Sequence, residues 1–301
     1  MIDTTNAVTH PTQETENYRA LGVEKHCLRP DHMFTIRSLR TGMAILVVVL
    51  VVLWAFFPNL FTSVDPLAGD VLVRLKPPSV EHWFGTDNLG RDLYARVVHG
   101  TSLSLKATGI ALALAFVASS IIGVTAGYLG GIVDEIVMRV MDVLLAIPNL
   151  LISLMLISAI GFGTVNIAIA VGIASIASFA RVMRSEVLRV CTSPYVEAAR
   201  SYGAGWPGIC VHHVFPHARG PVSALVAIEF GSAVLSISAL SFLGYGAVPP
   251  TPEWGNLVAE GRGYLATAWW LTTIPGLVII ATVLAVNAIG KKLNRSPEAS
   301  R

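Results

Sequence analysis

Six stretches of this chain are too long and too apolar to serve as the surface of a water-soluble domain. They run roughly over Thr41–Phe57, Ser102–Ala126, Ile136–Ile160, Val165–Ala180, Pro221–Leu243 and Trp269–Ile289. A helix rises about 1.5 Å per residue and the hydrocarbon core of a bilayer is about 30 Å thick, so most of these runs are long enough to cross it. The fourth is short and is expected to tilt or to be partly covered by protein. Composition agrees: 53% of the 301 residues are hydrophobic and 13% are charged, against about a quarter charged in an ordinary soluble domain.

A signal peptide is the rival reading of the first run. About 40 residues precede it, however, and bulky Trp54, Phe56 and Phe57 stand at its far end, where a cleavage site takes small residues. Residues 1–40 therefore read as a polar tail and residues 41–61 as a retained first span. Residues 62–100 carry Asp65-Pro66, Pro77-Pro78 and Gly85-Thr86-Asp87, which break helices and mark an ordered loop outside the lipid. Residues 101–290 hold the other five spans, with Gly161-Phe162-Gly163 as a tight turn, and residues 291–301 form a short basic tail suited to anionic headgroups.

The net charge of +2 is too small to point to nucleic acid; its distribution is more informative. Arg19, Lys25, Arg29, Arg37 and Arg40 precede the first span. Arg181, Arg184, Arg189, Arg200 and Arg219 fall after the fourth, and Lys291, Lys292, Arg295 and Arg301 end the chain. The opposite side holds Arg74, Lys76, Arg91, Arg96, Lys106 and Arg262. This bias puts both termini in the cytoplasm. Trp54, Trp83, Trp269 and Trp270 are then expected at the outer interface, where amphipathic rings settle. Cys27, Cys191 and Cys210 fall on the cytoplasmic side and read as structural thiols kept reduced. Gly123 and Gly127, with Ala111, Ala115 and Ala118, make a small-residue face that suits either packing within the chain or a subunit contact.

The segment Ser193–Pro216 reads SPYVEAARSYGAGWPGICVHHVFP. Ser193 is a good N-cap, Pro194 a good first helical residue, and Glu197 lies where the helix dipole favours a carboxylate. Tyr195, Ala198, Ala199 and Tyr202 share a face, Gly203 ends the helix, and Pro216 opens the next span. On these grounds alone the helix either lies on headgroups or presents itself to a partner.

Glu197-Ala198-Ala199, Gly203 and Pro216 resemble the EAA loop of ABC-importer permeases. HWFGTDNLGRDLYARVVHG from His82, DVLLAIPNLL from Asp142 and LSFLGYGAVPPTPEWG from Leu240 are similar to the dipeptide/oligopeptide/nickel branch, in the family's order over residues 80–290. The chain looks like the second permease subunit of that branch. The resemblance implies an all-α polytopic membrane protein with six transmembrane helices and a type I ABC-importer permease fold, in the bacterial cytoplasmic membrane. It implies that Glu197, Ala198, Ala199, Gly203 and Pro216 contact a cytoplasmic ATPase. A sister permease, two ATPase subunits and an extracytoplasmic solute-binding protein are the expected partners. No GxxxxGK[ST] is present, so no cofactor is expected on this chain, with ATP and Mg held by the ATPases.

Two positions depart from the family: Ile237 stands where many relatives carry a carboxylate, and Glu229 where they carry an amide. An ionisable group in a span is a functional candidate, so Glu229, with Ser232 and Ser236, is assigned to the solute pathway; the alternative is pairing with the sister subunit. The loop Pro249–Asn256 is a candidate face for the binding protein. Gly203-x-Gly205-x-x-Gly208 follows no strand and contains Pro207, so it is not a dinucleotide motif. His213 and His217 have metal-like spacing, but Pro216 interrupts it and no carboxylate accompanies them. His82 and His99 read as solvated loop residues, and no catalytic constellation stands out. The expected function is import of di- or oligopeptides, with nickel or metal-chelate import, or a secondary transporter, as alternatives.

Overall fold

In a bilayer the backbone must satisfy its own hydrogen bonds, so the apolar runs become helices. The computed structural model describes residues 30–203, 205–209 and 215–295. The chain divides into two units, Met1–Arg40 and Thr41–Arg301. Residues 1–29 with Cys27, residues 210–214 with Cys210, His212 and His213, and residues 296–301 lie outside the described residues, as do the side chains of Pro216 and His217. Among the described residues there is no strand, only isolated bridges Gly69–Arg91 and Thr86–Asp92.

The helices are α1 (Pro30–Phe56), α2 (Leu93–Leu129), α3 (Gly131–Ala146), α4 (Asn149–Ile160), α5 (Thr164–Cys191), α6 (Pro194–Ser201), α7 (Trp206–Ile209), α8 (Phe215–Phe242), α9 (Trp254–Gly261) and α10 (Trp270–Arg295). Four are long and apolar enough to cross a membrane: Leu93–Leu129, Thr164–Cys191, Leu225–Phe242 and Trp270–Lys292. Three of the expected spans differ. The run Ile136–Ile160 is broken at Ile147-Pro148, where α3 and α4 meet at 94°, because proline disfavours a helical residue before it. The apolar part of α1, Arg40–Phe56, is a shorter helix. The run Val165–Ala180, read as short, continues to Cys191 because Arg181 and Arg184 are good helix formers with partners, Asp142 and Asp134, on α3.

α2 and α5 run side by side in the same direction and form the centre of the bundle. Their approach is set by small residues. A Cβ at Gly123 would lie 2.7 Å from Met183 Cβ, one at Gly127 2.9 Å from Val187 Cγ1, and one at Gly172 2.8 Å from the Ala111 carbonyl oxygen. The open question about Gly123 and Gly127 is thereby answered in favour of packing within the chain. Around this seam lies a core of Ala111, Ala115, Ile167, Phe179, Val187 and Ile237. α8 and α10 pack antiparallel beside it, with Gly231 against Asn287 and Val283, and Gly290 against Ala227.

The bundle is closed at one end by a polar cap. Asp87 Oδ2 accepts from Arg91 Nε at 2.6 Å and from Arg96 Nη1 at 2.7 Å. Glu260 Oε2 accepts from Arg96 Nη1 at 2.6 Å and from Arg91 Nη2 at 3.1 Å. Two carboxylates thus neutralise two guanidiniums and tie the loop before α2 to α9. Gly90 lets this loop close, because a Cβ there would stand 1.8 Å from the Asp70 carbonyl oxygen. Asp92 caps α2 by accepting from Ala95 N at 2.8 Å and also contacts His82 Nδ1 at 2.8 Å. His82 is therefore a partly buried cap residue and not a solvated one.

A further carboxylate knots the other side of the cap. Glu253, 1% exposed, accepts from Ser241 Oγ at 2.6 Å, Ala247 N at 2.9 Å and Thr164 Oγ1 at 3.2 Å. It joins the end of α8 to the start of α5. Trp254 donates from Nε1 to the Val97 carbonyl at 3.3 Å and Thr101 Oγ1 at 3.2 Å. The loop Pro249–Asn256 accordingly splits: Glu253 to Asn256 are buried, and only its first part is exposed. The tryptophans divide too. Trp54 and Trp270 are core residues at 7% and 5% exposure, whereas Trp83 and Trp269 are exposed. Trp270 turns inward because its indole donates to the Thr86 carbonyl at 3.3 Å.

Two predictions follow from this packing. Gly123→Ala is expected to lower thermal stability in detergent by about 1–3 kcal/mol through overpacking. Gly109→Ala, where a Cβ meets nothing within 4 Å, is expected not to lower it. Equal melting points would refute the seam. Arg96→Met leaves Asp87 and Glu260 with one cation between them and is expected to cost about 3–5 kcal/mol. Adding Asp87→Leu restores neutrality through Arg91 and Glu260 and is expected to recover much of that loss, measured as a double-mutant cycle.

Candidate functional site

α5 and α6 meet at Thr192 and Ser193. The Ser193 carbonyl accepts from Val196 N at 3.1 Å and Glu197 N at 3.2 Å, starting α6. Its hydroxyl turns back and donates to the Val190 carbonyl. Ser193 therefore fastens α6 to the end of α5 and does not cap with its side chain, as its residue type had suggested. The joint is short, so α6 is carried by the last turn of α5.

α6 has two faces. Val196, fully buried, and half-buried Ala199 pack into the central core with Val187, Val190 and Ile209. Tyr195, Glu197, Ala198 and Tyr202 are exposed, Tyr202 at 93%. Sequence spacing had put Ala198 and Ala199 on one outward face. The structure parts them, because Val196 and Ala199 are three residues apart and the larger apolar side chain fixes which side is buried. Gly203 has φ of +81° with nothing within 4 Å of a built Cβ, so glycine is required for conformation and not for space. α8 begins at Phe215, next to Pro216.

Glu229, Ser232 and Ser236 lie on α8 at helical spacing, and Ser232 is exposed while Glu229 and Ser236 are partly buried. Ile237 is 2% exposed and belongs to the core. The α6 residues and the α8 polar face occupy different helices, but one core joins them: Val196 and Ala199 share it with Leu225, Phe230 and Ala233, which flank Glu229. Among the described residues no group of His, Cys, Asp or Glu is arranged to hold a metal.

The sequence reading has Asp87 and Arg96 in the outer-loop signature and Glu253 in the candidate loop Pro249–Asn256, and does not join them with Glu260 into a cap. The signal available was local: Asp87 and Arg91 at i, i+4 in GTDNLGRD. Glu260 stands 164 residues from Arg96, and nothing in a single sequence pairs them.

Comparison with known proteins fits this geometry. Residues 119–297 match the family described as binding-protein-dependent transport system inner membrane component. The chain is 38% identical over 247 residues to the probable D,D-dipeptide transport system permease protein DdpC of Escherichia coli (strain K12), covering 82% of this chain and 83% of that one. It is 35% identical over 255 residues to the di/tripeptide transport system permease protein DppC of Pseudomonas aeruginosa (strain UCBPP-PA14), covering 83% and 84%. Its fold is similar to a crystal structure of an amino acid ABC transporter with histidines, with a TM-score of 0.52 and 16% identity, over 67% of this chain and 94% of that one. With its long apolar helices, short exposed α6 and matching family signature, the chain belongs to the inner membrane components of binding-protein-dependent transport systems.

Proposed function

We propose that this chain is one of two permease subunits of an ATP-driven importer and that its cargo is a di- or oligopeptide. The relatives named above are described as dipeptide and di/tripeptide permeases, and that supports the cargo class. The construction of α6 carries the mechanism: an exposed face of Tyr195, Glu197, Ala198 and Tyr202 backed by Val196 in the central core.

In this reading α6 seats on a cytoplasmic ATPase, with Glu197, Ala198 and Ala199 in the helix, Gly203 shaping its exit and Pro216 opening α8. Ala198 leaves room for close approach. Closure of the ATPase pair displaces α6, and the shared core passes the displacement to α8. Glu229, Ser232 and Ser236 then line the solute pathway, where a carboxylate suits the ammonium end of a peptide. ATP and Mg are held by the ATPase subunits, a sister permease completes the pathway, and a solute-binding protein docks on the cap side. The Lys and Arg distribution supports a cytoplasmic location for the α6 end and both termini.

Uptake of labelled di- and oligopeptides tests this in cells that carry the complete importer and no other peptide transporter, with labelled nickel, free and chelated, run in parallel. Ala198→Arg changes an exposed position and is expected to leave membrane insertion intact while cutting peptide uptake at least about tenfold, a loss of about 1.4 kcal/mol. Gly203→Asp is expected to abolish uptake, also with the chain inserted. Full transport by either variant refutes the coupling role of α6. Uptake that survives deletion of the ATPases makes the chain a secondary transporter, and nickel uptake alone moves the cargo to metal.

A further inference from the structure

We propose that α3 is an in-plane helix seated in the leaflet on the α6 side, with an aliphatic strip as its lipid contact and two aspartate–arginine pairs as its moorings to α5. This goes beyond the cargo and coupling reading and does not depend on it.

The bend gives the first constraint. α3 meets α4 at 94°, and α4 packs along α5 through Ile157 and Leu154. With its 12 residues, α4 is about 18 Å long, well short of a hydrocarbon core of about 30 Å. The moorings give the second. Asp134 accepts from Arg184, with Nε to Oδ1 at 2.8 Å, and Asp142 pairs with Arg181. The aspartates are about 12 Å apart along α3, whereas the arginines are about 4.5 Å apart along α5. A helix lying alongside α5 would need matching separations, so α3 runs across it. Arg181 and Arg184 lie about 26–30 Å along α5 from Thr164 at the cap, roughly one hydrocarbon thickness. α3 therefore crosses α5 at the far edge of the apolar layer.

The side chains of α3 sort into three strips around the helix. Met141, Val137, Leu144 and Met138 face the bundle against Ala177, Ala180 and Ile122. Ile132, Val133, Ile136, Val140 and Val143 are exposed, from 43% to 75%, within an arc of about 100°. Beside them, Glu135, Arg139 and Asp142 form a charged strip, with Arg139 bonded to Glu135 at 2.8 Å. An unbroken aliphatic strip next to a charged one is the pattern of a helix lying at a membrane surface. Lipid is the occupant that fits. The strip holds no hydrogen-bonding side chain to specify a protein partner, and the charges beside it are already paired. At the same end α2 exposes Ile121 and Leu129 at 63% and 57%, so the strip continues an apolar belt.

Power-saturation EPR tests the proposal in the complete importer, reconstituted in vesicles of phosphatidylethanolamine and phosphatidylglycerol. Cys27, Cys191 and Cys210 are replaced by serine, and single nitroxides are placed at 132, 136, 140 and 143 and at 135 and 139. The strip positions are expected to be accessible to oxygen, shielded from the nickel chelate and within about 3 Å of one depth; 135 and 139 are expected to reach the chelate. A depth that changes steadily by about 16 Å from 132 to 143 would make α3 half of an ordinary span. Shielding of the strip from both reagents would make its occupant a protein. For the moorings, Asp134→Arg is expected to raise label mobility at 136 and Arg184→Asp to restore it; failure of the double variant to restore it overturns that part.

Discussion

The close approach of α2 and α5 is the contact on which the other elements depend. Lipid tails give helices no hydrophobic reason to associate, so contact must come from dispersion across a seam narrow enough for backbones to meet. Gly123, Gly127 and Gly172 provide that seam. α5 then becomes the post of the molecule. It carries α6 at one end, is held to Glu253 at the other, takes α4 along its side, and anchors α3 through Arg181 and Arg184.

The cap solves a different problem. Four charged side chains, three of them nearly inaccessible, sit where loop, α2 and α9 converge. Buried ion pairs lose on desolvation about what they gain in attraction, so their net contribution to stability is small. What they supply is uniqueness. Each guanidinium has fixed donor directions, and Asp87 and Glu260 can satisfy both only in one relative placement. The loop before α2 is thereby held in register with α9 although their chain positions are far apart. The Glu253 knot does the same for α5 and α8.

Much of the fold was legible in the residues because membranes impose a coarse rule: long apolar runs become helices. The runs at Ser102–Ala126, Pro221–Leu243 and Trp269–Ile289 needed no further information. Length and hydropathy carry no record of direction, however. The run Ile136–Ile160 reads as one span although Ile147-Pro148 marks a break, and the arginines after Ala180 read as loop charges although α5 continues through them. In the candidate site, the helix Pro194–Ser201 and the turn at Gly203 follow from local chemistry. The inward turn of Ala199 does not, because the burial of Val196 decides it. The carboxylate of Glu253 was invisible for the same reason, its donors being drawn from α5, α8 and the following loop.

Because α5 is one unbroken helix of 28 residues, about 42 Å long, held by hydrogen bonds at Thr164 and merging into α6 at Ser193, it behaves mechanically as a strut. A strut has no preferred direction of thrust. If a ligand at the cap end and a partner on α6 are coupled through it, thermodynamic linkage requires that each changes the affinity of the other by the same factor. A strut that let one end drive the other would also oblige it to listen.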